Sequence, residues 1–402
     1  MKNTKILLSL VGCALCATFT NTALANHRSG DWALPEIMTA GDFNGDGNLD
    51  LAVNMSGFDN FAILNGDSQG NFTLKRHIQS DTLPKCLVSG DINGDGKIDI
   101  IAVSQWGYNI KVYLGNGAGN FQLSQVLRGD GEPNRLRLVD LNKDGKLDII
   151  ATGPDEGVLL IYFGLSGGNF IPGPLELLGY PNVNAVSTGD FNKDGKMDIA
   201  IAYFDDDTQN GSHLQVFIGN GLGGFAPGQN VVINPQCNNI EVTDLNKDGN
   251  LDLVLAGAGS DNTAGLFISS YLGDGAGNFT LKQAIDVGEG AIRGLISLGD
   301  FNEDGNVDIA YPMSSDASQG RGNFSTQLLI YLGDGTGKFT QGQTATVGKE
   351  PGSAWTADFN KDGHMDIACT NRTDTTLSIL FGKGDATFTT HATIPLNVIP
   401  AQ

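Results

Sequence analysis

Apolar residues in this chain come in short runs and form no long helical stripe. Ile100-Ile101-Ala102-Val103 and Ile110-Lys111-Val112-Tyr113-Leu114 are typical, each bounded by Gly, Asn and Asp. Runs of this length, rich in β-branched and aromatic side chains and set between turn formers, predict short β-strands. They recur with a period of about 50 residues, and the same two polar landmarks bracket them each time.

The first landmark is Asp-x-Asn-x-Asp-Gly-x-x-Asp, found in seven copies that begin at Asp42, Asp91, Asp140, Asp190, Asp244, Asp300 and Asp358. The second is a Gly-rich turn ending in Phe, such as Gly115-Asn116-Gly117-Ala118-Gly119-Asn120-Phe121. Its opening Gly recurs as Gly66, Gly115, Gly164, Gly219, Gly273, Gly333 and Gly382. In each unit the pattern predicts one strand before the Asp motif, one just after it, one ending at the Gly-rich turn and one starting at its Phe. Four short strands in about 50 residues make one propeller blade, and a blade buries its faces only against neighbours. The expectation is an all-β, seven-bladed β-propeller of four-stranded antiparallel blades, filling residues 26–402 as a single domain.

The Asp motif carries the candidate chemistry. Positions 1, 3 and 5 place Asp, Asn and Asp around one point of a curled loop. Gly at position 6 permits the sharp turn, position 7 offers a carbonyl, and Asp at position 9 closes the shell. This is a hard-oxygen donor set suited to Ca²⁺, with the opening of an EF-hand loop but a shorter span and flanking strands instead of helices. The candidate ligands are Asp42, Asn44, Asp46 and Asp50; Asp91, Asn93, Asp95 and Asp99; Asp140, Asn142, Asp144 and Asp148; Asp190, Asn192, Asp194 and Asp198. The later copies supply Asp244, Asn246, Asp248 and Asp252; Asp300, Asn302, Asp304 and Asp308; and Asp358, Asn360, Asp362 and Asp366. Turn formation alone explains one such loop. It does not explain seven loops with three carboxylates at fixed offsets. Equivalent repeated sites read as staples, because a catalytic metal needs an open position and a nearby acid or base.

These landmarks resemble the FG-GAP (or VCBS) repeat family, which includes the propeller of integrin α-subunits, fungal integrin-like lectins and many exported bacterial proteins. The resemblance covers about Leu34 to Ile394. It implies a seven-bladed propeller with Ca²⁺ in the loops between strands 1 and 2, and functions of adhesion, glycan recognition and assembly. Integrin α-subunits carry Ca²⁺ in only some blades, whereas all seven copies here have the full donor set. The fungal-lectin or bacterial exported kind is therefore the nearer comparison.

The N-terminus reads as a signal peptide over 1–25: Lys2 and Lys5, an apolar stretch from Ile6 to Phe19, then Ala23-Leu24-Ala25. A lipobox reading of Leu10-Val11-Gly12-Cys13, with anchoring through Cys13, is the alternative to a secreted or periplasmic protein. No later run reaches the ~20 apolar residues of a spanning helix. The net charge of −21 becomes −23 once Lys2 and Lys5 are removed, which argues against nucleic acid and anionic lipid as partners. Cys86, Cys237 and Cys369 have no Cys-x-x-Cys spacing, and Cys86 and Cys369 fall in predicted strands as small core residues.

Loop lengths point to where a ligand would sit. In an antiparallel blade the 1–2 and 3–4 turns share one face of the disc, and the 2–3 and 4–1 loops share the other. From position 9 to the opening Gly is 16 positions in copies 1, 2, 3 and 7, but 21, 21 and 25 in copies 4, 5 and 6. The extra residues fall around three consecutive 2–3 loops, and loops on a rigid frame often carry function. Candidate ligand-binding residues are Asp205, Asp206 and His213 in copy 4, and Trp106 and Tyr108 in copy 2 as platforms for a sugar ring. Arg128-Gly129-Asp130 reads as an ordinary variant of the 4–1 loop. No nucleophile–base pair stands out. The sequence thus suggests a non-catalytic binding module for a glycan or cell-surface protein, with a protein-assembly scaffold or a polysaccharide-active enzyme as alternatives.

Overall fold

The computed structural model describes residues 35–397, apart from 82, 105–106, 130–131, 154–156, 174–175, 178–181, 206–210, 234–235, 259–264, 289–294 and 315–323. Residues 1–25, Cys13, Trp106, Asp130 and Asp206 lie outside the described residues, as does the Asp205 side chain. Seven antiparallel sheets follow one another along the chain, each built from its own consecutive strands in sequence order. Blade 1 consists of Pro35–Gly41, Asp50–Met55, Asn60–Gly66 and Phe72–Gln79. Blade 7 consists of Pro351–Ala357, Asp366–Asn371, Thr376–Gly382 and Phe388–Pro395. First strands of successive blades touch at every seam but that of blades 5 and 6, and that of blade 7 touches that of blade 1, so among the described residues the ring closes between whole blades without strand exchange.

The landmarks set the strand ends. In every blade the position-9 Asp begins strand 2, the opening Gly ends strand 3, and the Phe begins strand 4. The opening Gly is required sterically. A Cβ at Gly66 would stand 2.1 Å from the Leu49 carbonyl oxygen, and the same clash at 2.0–2.3 Å recurs at the other six positions. Strand 4 of blade 3 is the irregular one, split into Phe170–Pro172 and Glu176–Leu177 by the sequence Pro172-Gly173-Pro174.

The core lies between blades. Strand 2 of blade 1 is buried throughout, which is why its apolar run is continuous and not alternating, whereas outermost strands such as Phe72–Gln79 alternate. One cluster joins Phe43, Ala52, Phe61 and Ile63 of blade 1 to Leu87, Ile100, Ala102 and Tyr113 of blade 2. Another joins blade 1 to blade 7, with Trp355 packed against it. Cys86, Cys237 and Cys369 are free and buried, as small core residues.

Two inter-blade devices repeat. Where position 2 of the Asp motif is Phe, it meets the turn Phe of the next blade edge-on: Phe43–Phe121, Phe191–Phe279, Phe301–Phe388 and Phe359–Phe72, with centroids 5.2–5.4 Å apart. A Gln four residues after the turn Phe clamps the next turn Phe through both its backbone groups. Phe339 N donates to Gln283 Oε1 at 2.7 Å and Gln283 Nε2 donates to the Phe339 carbonyl at 3.1 Å. Gln125, Gln229 and Gln343 do the same for Phe170, Phe279 and Phe388. Blade 7 has Ala392 at this position, and its seam to blade 1 uses other groups: His391 Nε2 with Asn71 Oδ1 at 2.9 Å, and Ser353 Oγ donating to the Glu36 carbonyl at 2.6 Å. Gln283→Ala leaves two seam groups without their partner and is expected to cost about 2 kcal/mol in chemical denaturation.

Candidate functional site

All seven Asp loops have the same internal hydrogen bonds. The position-6 N–H donates to the position-1 carboxylate at 2.7–3.0 Å. The position-5 N–H donates to the position-3 Asn Oδ1 at 2.8–3.1 Å. The position-7 N–H donates to the position-5 carboxylate at 2.7–2.9 Å. These bonds curl the backbone inside its own side chains. Position 6 has positive φ and is always Gly; position 4 also has positive φ, yet is Lys or Glu in five copies (Lys143, Lys193, Lys247, Glu303, Lys361). A strain-bearing position without Gly gave no signal in the sequence.

Position 9 behaves differently from positions 1, 3 and 5. Its carboxylate is fully buried in every blade and accepts two backbone N–H groups, with a third, from Asn360, in blade 7. Asp50 Oδ2 accepts from Phe43 N at 2.9 Å, and Oδ1 from Gly66 N at 2.8 Å, tying the Asp loop to the Gly-rich turn. Asp99, Asp148, Asp198, Asp252, Asp308 and Asp366 repeat the bracket with position 2 and the opening Gly. The sequence reading assigned this Asp to the ion alone and missed its bracing role. Its signal was the co-occurrence of that Asp with the opening Gly in every copy.

The donor set fits Ca²⁺: three carboxylates, an amide oxygen and a carbonyl in one loop. The Asn44 amide nitrogen lies 3.0 Å from Asp46 Oδ2 and 3.4 Å from Asp50 Oδ1. It thus puts a donor where the two carboxylates converge. Accordingly, among the described residues no three acidic, His or Cys side chains are gathered ready to hold an ion. Turning that amide would present an oxygen beside the two carboxylates.

Burial, opposed by the two N–H bonds and reinforced by neighbouring carboxylates, pushes Asp50, Asp99, Asp308 and Asp366 up to about 6. Asp148, Asp198 and Asp252 are raised for the same reasons. A raised pKa means that the folded state holds protons the unfolded state has released. In chelator, melting temperature is therefore expected to rise as pH falls from 7 towards 5. In saturating Ca²⁺ the trend should reverse, because ligands must be deprotonated to bind. Melts in the two series check both signs.

The Asp loops and Gly-rich turns share one face, as expected, and interlock around the ring. Gly119 N of blade 2 donates to the Phe43 carbonyl of blade 1, and Gly277 N and Ala386 N repeat this on Phe191 and Phe301. The opposite face carries the 2–3 connections. The extra residues of blades 4, 5 and 6 fall there, between strands 2 and 3. Most of the blade 4 insertion lengthens the hairpin, to Asp198–Asp205 and Gly211–Gly219.

His213 is accordingly not in a loop, as the sequence suggested, but in strand 3. Cross-strand pairing sets it opposite Tyr203, the rings stack at 4.9 Å, and Nδ1 bonds Asn230 Oδ1 at 2.9 Å. Asp205 ends strand 2.

Tyr108 is in the 2–3 turn of blade 2, a residue 49 % exposed, with its hydroxyl donating to Glu132 Oε1 at 2.7 Å. Its φ of 48° matches Asp59, Gly157 and Thr375 at the corresponding turn positions of blades 1, 3 and 7. Among the described residues the exposed aromatics are Phe58, Tyr108 and Phe324, and all three lie on 2–3 connections. Phe58 and Phe324 escaped the sequence reading because nothing local distinguishes them from core Phe. Arg128 ends strand 4 of blade 2, and its carbonyl accepts the Tyr162 hydroxyl.

The FG-GAP-like repeat family matches residues 42–102, 91–151, 140–201, 190–255, 244–311 and 317–369. The chain belongs to this family. The first five FG-GAP-like matches each run from one Asp motif into strand 2 of the next blade, so the family pattern follows the seam between blades. No curated relative matches the chain. Solved structures share the fold at low identity. A protein from Lactobacillus plantarum is 10% identical, with TM-score 0.62, over 90% of this chain and 97% of that one. BBS1N, crystallised in complex with ARL6DN, is 11% identical, with TM-score 0.56, over 93% and 96%. A functionally unknown protein from Desulfotomaculum acetoxidans is 10% identical, with TM-score 0.57, over 86% and 96%.

Proposed function

We propose that this FG-GAP-like propeller is an exported, non-catalytic recognition module that binds a glycan or cell-surface ligand on the face of the 2–3 connections. Seven Ca²⁺ ions on the opposite face act as structural staples. Export rests on the signal-peptide reading of 1–25. The observation that carries the ligand face is that, among the described residues, the exposed aromatics Phe58, Tyr108 and Phe324 are all on it. Exposed aromatic rings suit the apolar face of a sugar, and several weak sites around a ring give avidity.

Tyr108 supports this most directly. Its ring is pre-oriented by Glu132, in a backbone conformation that costs a bulky residue roughly 1–2 kcal/mol. In this reading each Ca²⁺ is held by positions 1, 3, 5 and 9 with the position-7 carbonyl, and supplies positive charge that lets the carboxylates sit together.

The test is a glycan array probed with residues 26–402 in millimolar Ca²⁺ and in chelator. Binding to a coherent glycan set is expected, lost in Tyr108→Gly even though that substitution relieves turn strain and leaves the melt unchanged or higher. A blank array with folded, calcium-loaded protein would overturn the glycan reading. The search would then turn to a protein partner, as for the BBS1N propeller with ARL6DN.

A further inference from the structure

The innermost strands line the axis of the ring, and their charge is opposite to that of the chain. On the described innermost strands the charged residues are Glu36, Lys85, Arg135, Arg137 and Glu241, three positive against two negative, in a chain of net charge −21. Arg135 and Arg137 alternate along the innermost strand of blade 3 (Arg135–Val139), so they project to the same side. Both reach past blade 4 to the innermost strand of blade 5 (Gln236–Thr243). Arg135 Nη2 donates to the Asn238 carbonyl at 3.4 Å, and Arg137 Nη2 to the Ile240 carbonyl at 3.5 Å. Contacts that skip a blade put both guanidiniums across the axial channel.

The carboxylates nearby are shared with other groups, and only Glu241 pairs with either arginine. Glu36 is shared by Lys85 at 3.5 Å and Arg372 at 3.1 Å. Glu241 lies 4.0 Å from Arg137 and accepts from Asn239 Nδ2 at 3.0 Å. Among the described residues Arg135 has no carboxylate within ion-pair distance, and its Nε is buried without an acceptor. Burial, with the Arg137 charge beside it, holds the Arg135 guanidinium below the usual arginine value. Nη1 of each arginine also donates to a neighbouring carbonyl, Arg135 to Asn134 at 3.0 Å and Arg137 to Leu136 at 3.1 Å, while the Nη2 bonds are long. The remaining donors of two adjacent forks, one buried and one half-buried, suit an anion that accepts from both.

We propose that the axial channel binds a small oxyanion between Arg135 and Arg137. The shared chemistry is a group with two or more acceptor oxygens and negative charge, either a tetrahedral ion of the sulfate class or a carboxylate. The test is calorimetric titration of the full chain, in calcium-containing, low-chloride buffer, with sodium sulfate and separately with sodium acetate, alongside thermal melts.

Saturable binding of at least one anion is expected, with a rise in melting temperature. Sulfate above acetate assigns the tetrahedral class, and the reverse assigns a carboxylate. The affinity should fall at least tenfold in Arg135→Gln and in Arg137→Gln, and stay unchanged in Lys338→Gln, whose site is an exposed turn of blade 6. Arg137 is only half-buried, so its variant carries the test if Arg135→Gln does not fold. No saturable binding of either anion, or equal binding by wild type and Arg137→Gln, would overturn the proposal.

Discussion

Chelating calcium is expected to lower the melting temperature by more than about 15 °C, measured by calorimetry or by circular dichroism with and without chelator. An ion that binds only the folded state stabilises it by about 2.7 kcal/mol at a hundred times its Kd. Even a fraction of that at each of seven sites sums to a shift of this size for a chain of this length. The structure adds a reason for a large effect. Each loop carries three carboxylates, the buried one repelled by the other two, as Asp50 is by Asp46 and Asp42. Each loop also contacts the neighbouring blade: the Phe43 carbonyl accepts Gly119 N, and Lys361 Nζ donates to the Gly47 carbonyl across the closing seam. Loosening one loop therefore loosens two blades. An unchanged melt would show that the loops are held by their backbone hydrogen bonds alone.

Asp366→Ala is expected to destabilise by about 4 kcal/mol whether or not calcium is present, seen as a lower denaturant midpoint in both conditions. Asp366 Oδ2 accepts from Phe359 N at 3.0 Å and Oδ1 from Gly382 N at 2.9 Å, in a fully buried site. Removing the carboxylate orphans two buried donors, each costing about 1–3 kcal/mol, and leaves a cavity. Asp358→Ala is the contrasting variant. Its carboxylate accepts Asp362 N and Gly363 N in an exposed loop, where water replaces it. It should weaken the protein in calcium and be near neutral in chelator. If both variants behaved alike, the distinction between a brace and a ligand would fail.

Much of the fold was legible because each repeat is a local instruction. The motif's Asp, the opening Gly and the Phe mark three strand ends, and periodicity then fixes blade number and strand order. The pairing of Phe43 with Phe121, the Gln283 clamp and the double bond to Asp50 were not legible, because each joins residues brought together only when strands or blades pack. The Gln clamp did leave a trace, four residues after the Phe in four copies, which Arg76 of blade 1, the broken strand of blade 3 and Ala392 of blade 7 interrupt.

His213 shows the reverse error. Read along the chain, it falls in an acidic insertion and looks like loop chemistry. Strand pairing instead extends the hairpin and stacks it on Tyr203. By itself the sequence determined the repeat, the strands, the donor set and the face on which the long loops fall, since these depend on residue type and spacing within one unit. Only the tertiary structure decided which carboxylates brace the backbone, which aromatics are exposed and which charges meet at the axis. Those depend on blades that are distant in sequence closing into one ring, where burial and proximity are properties of the assembly and not of any segment.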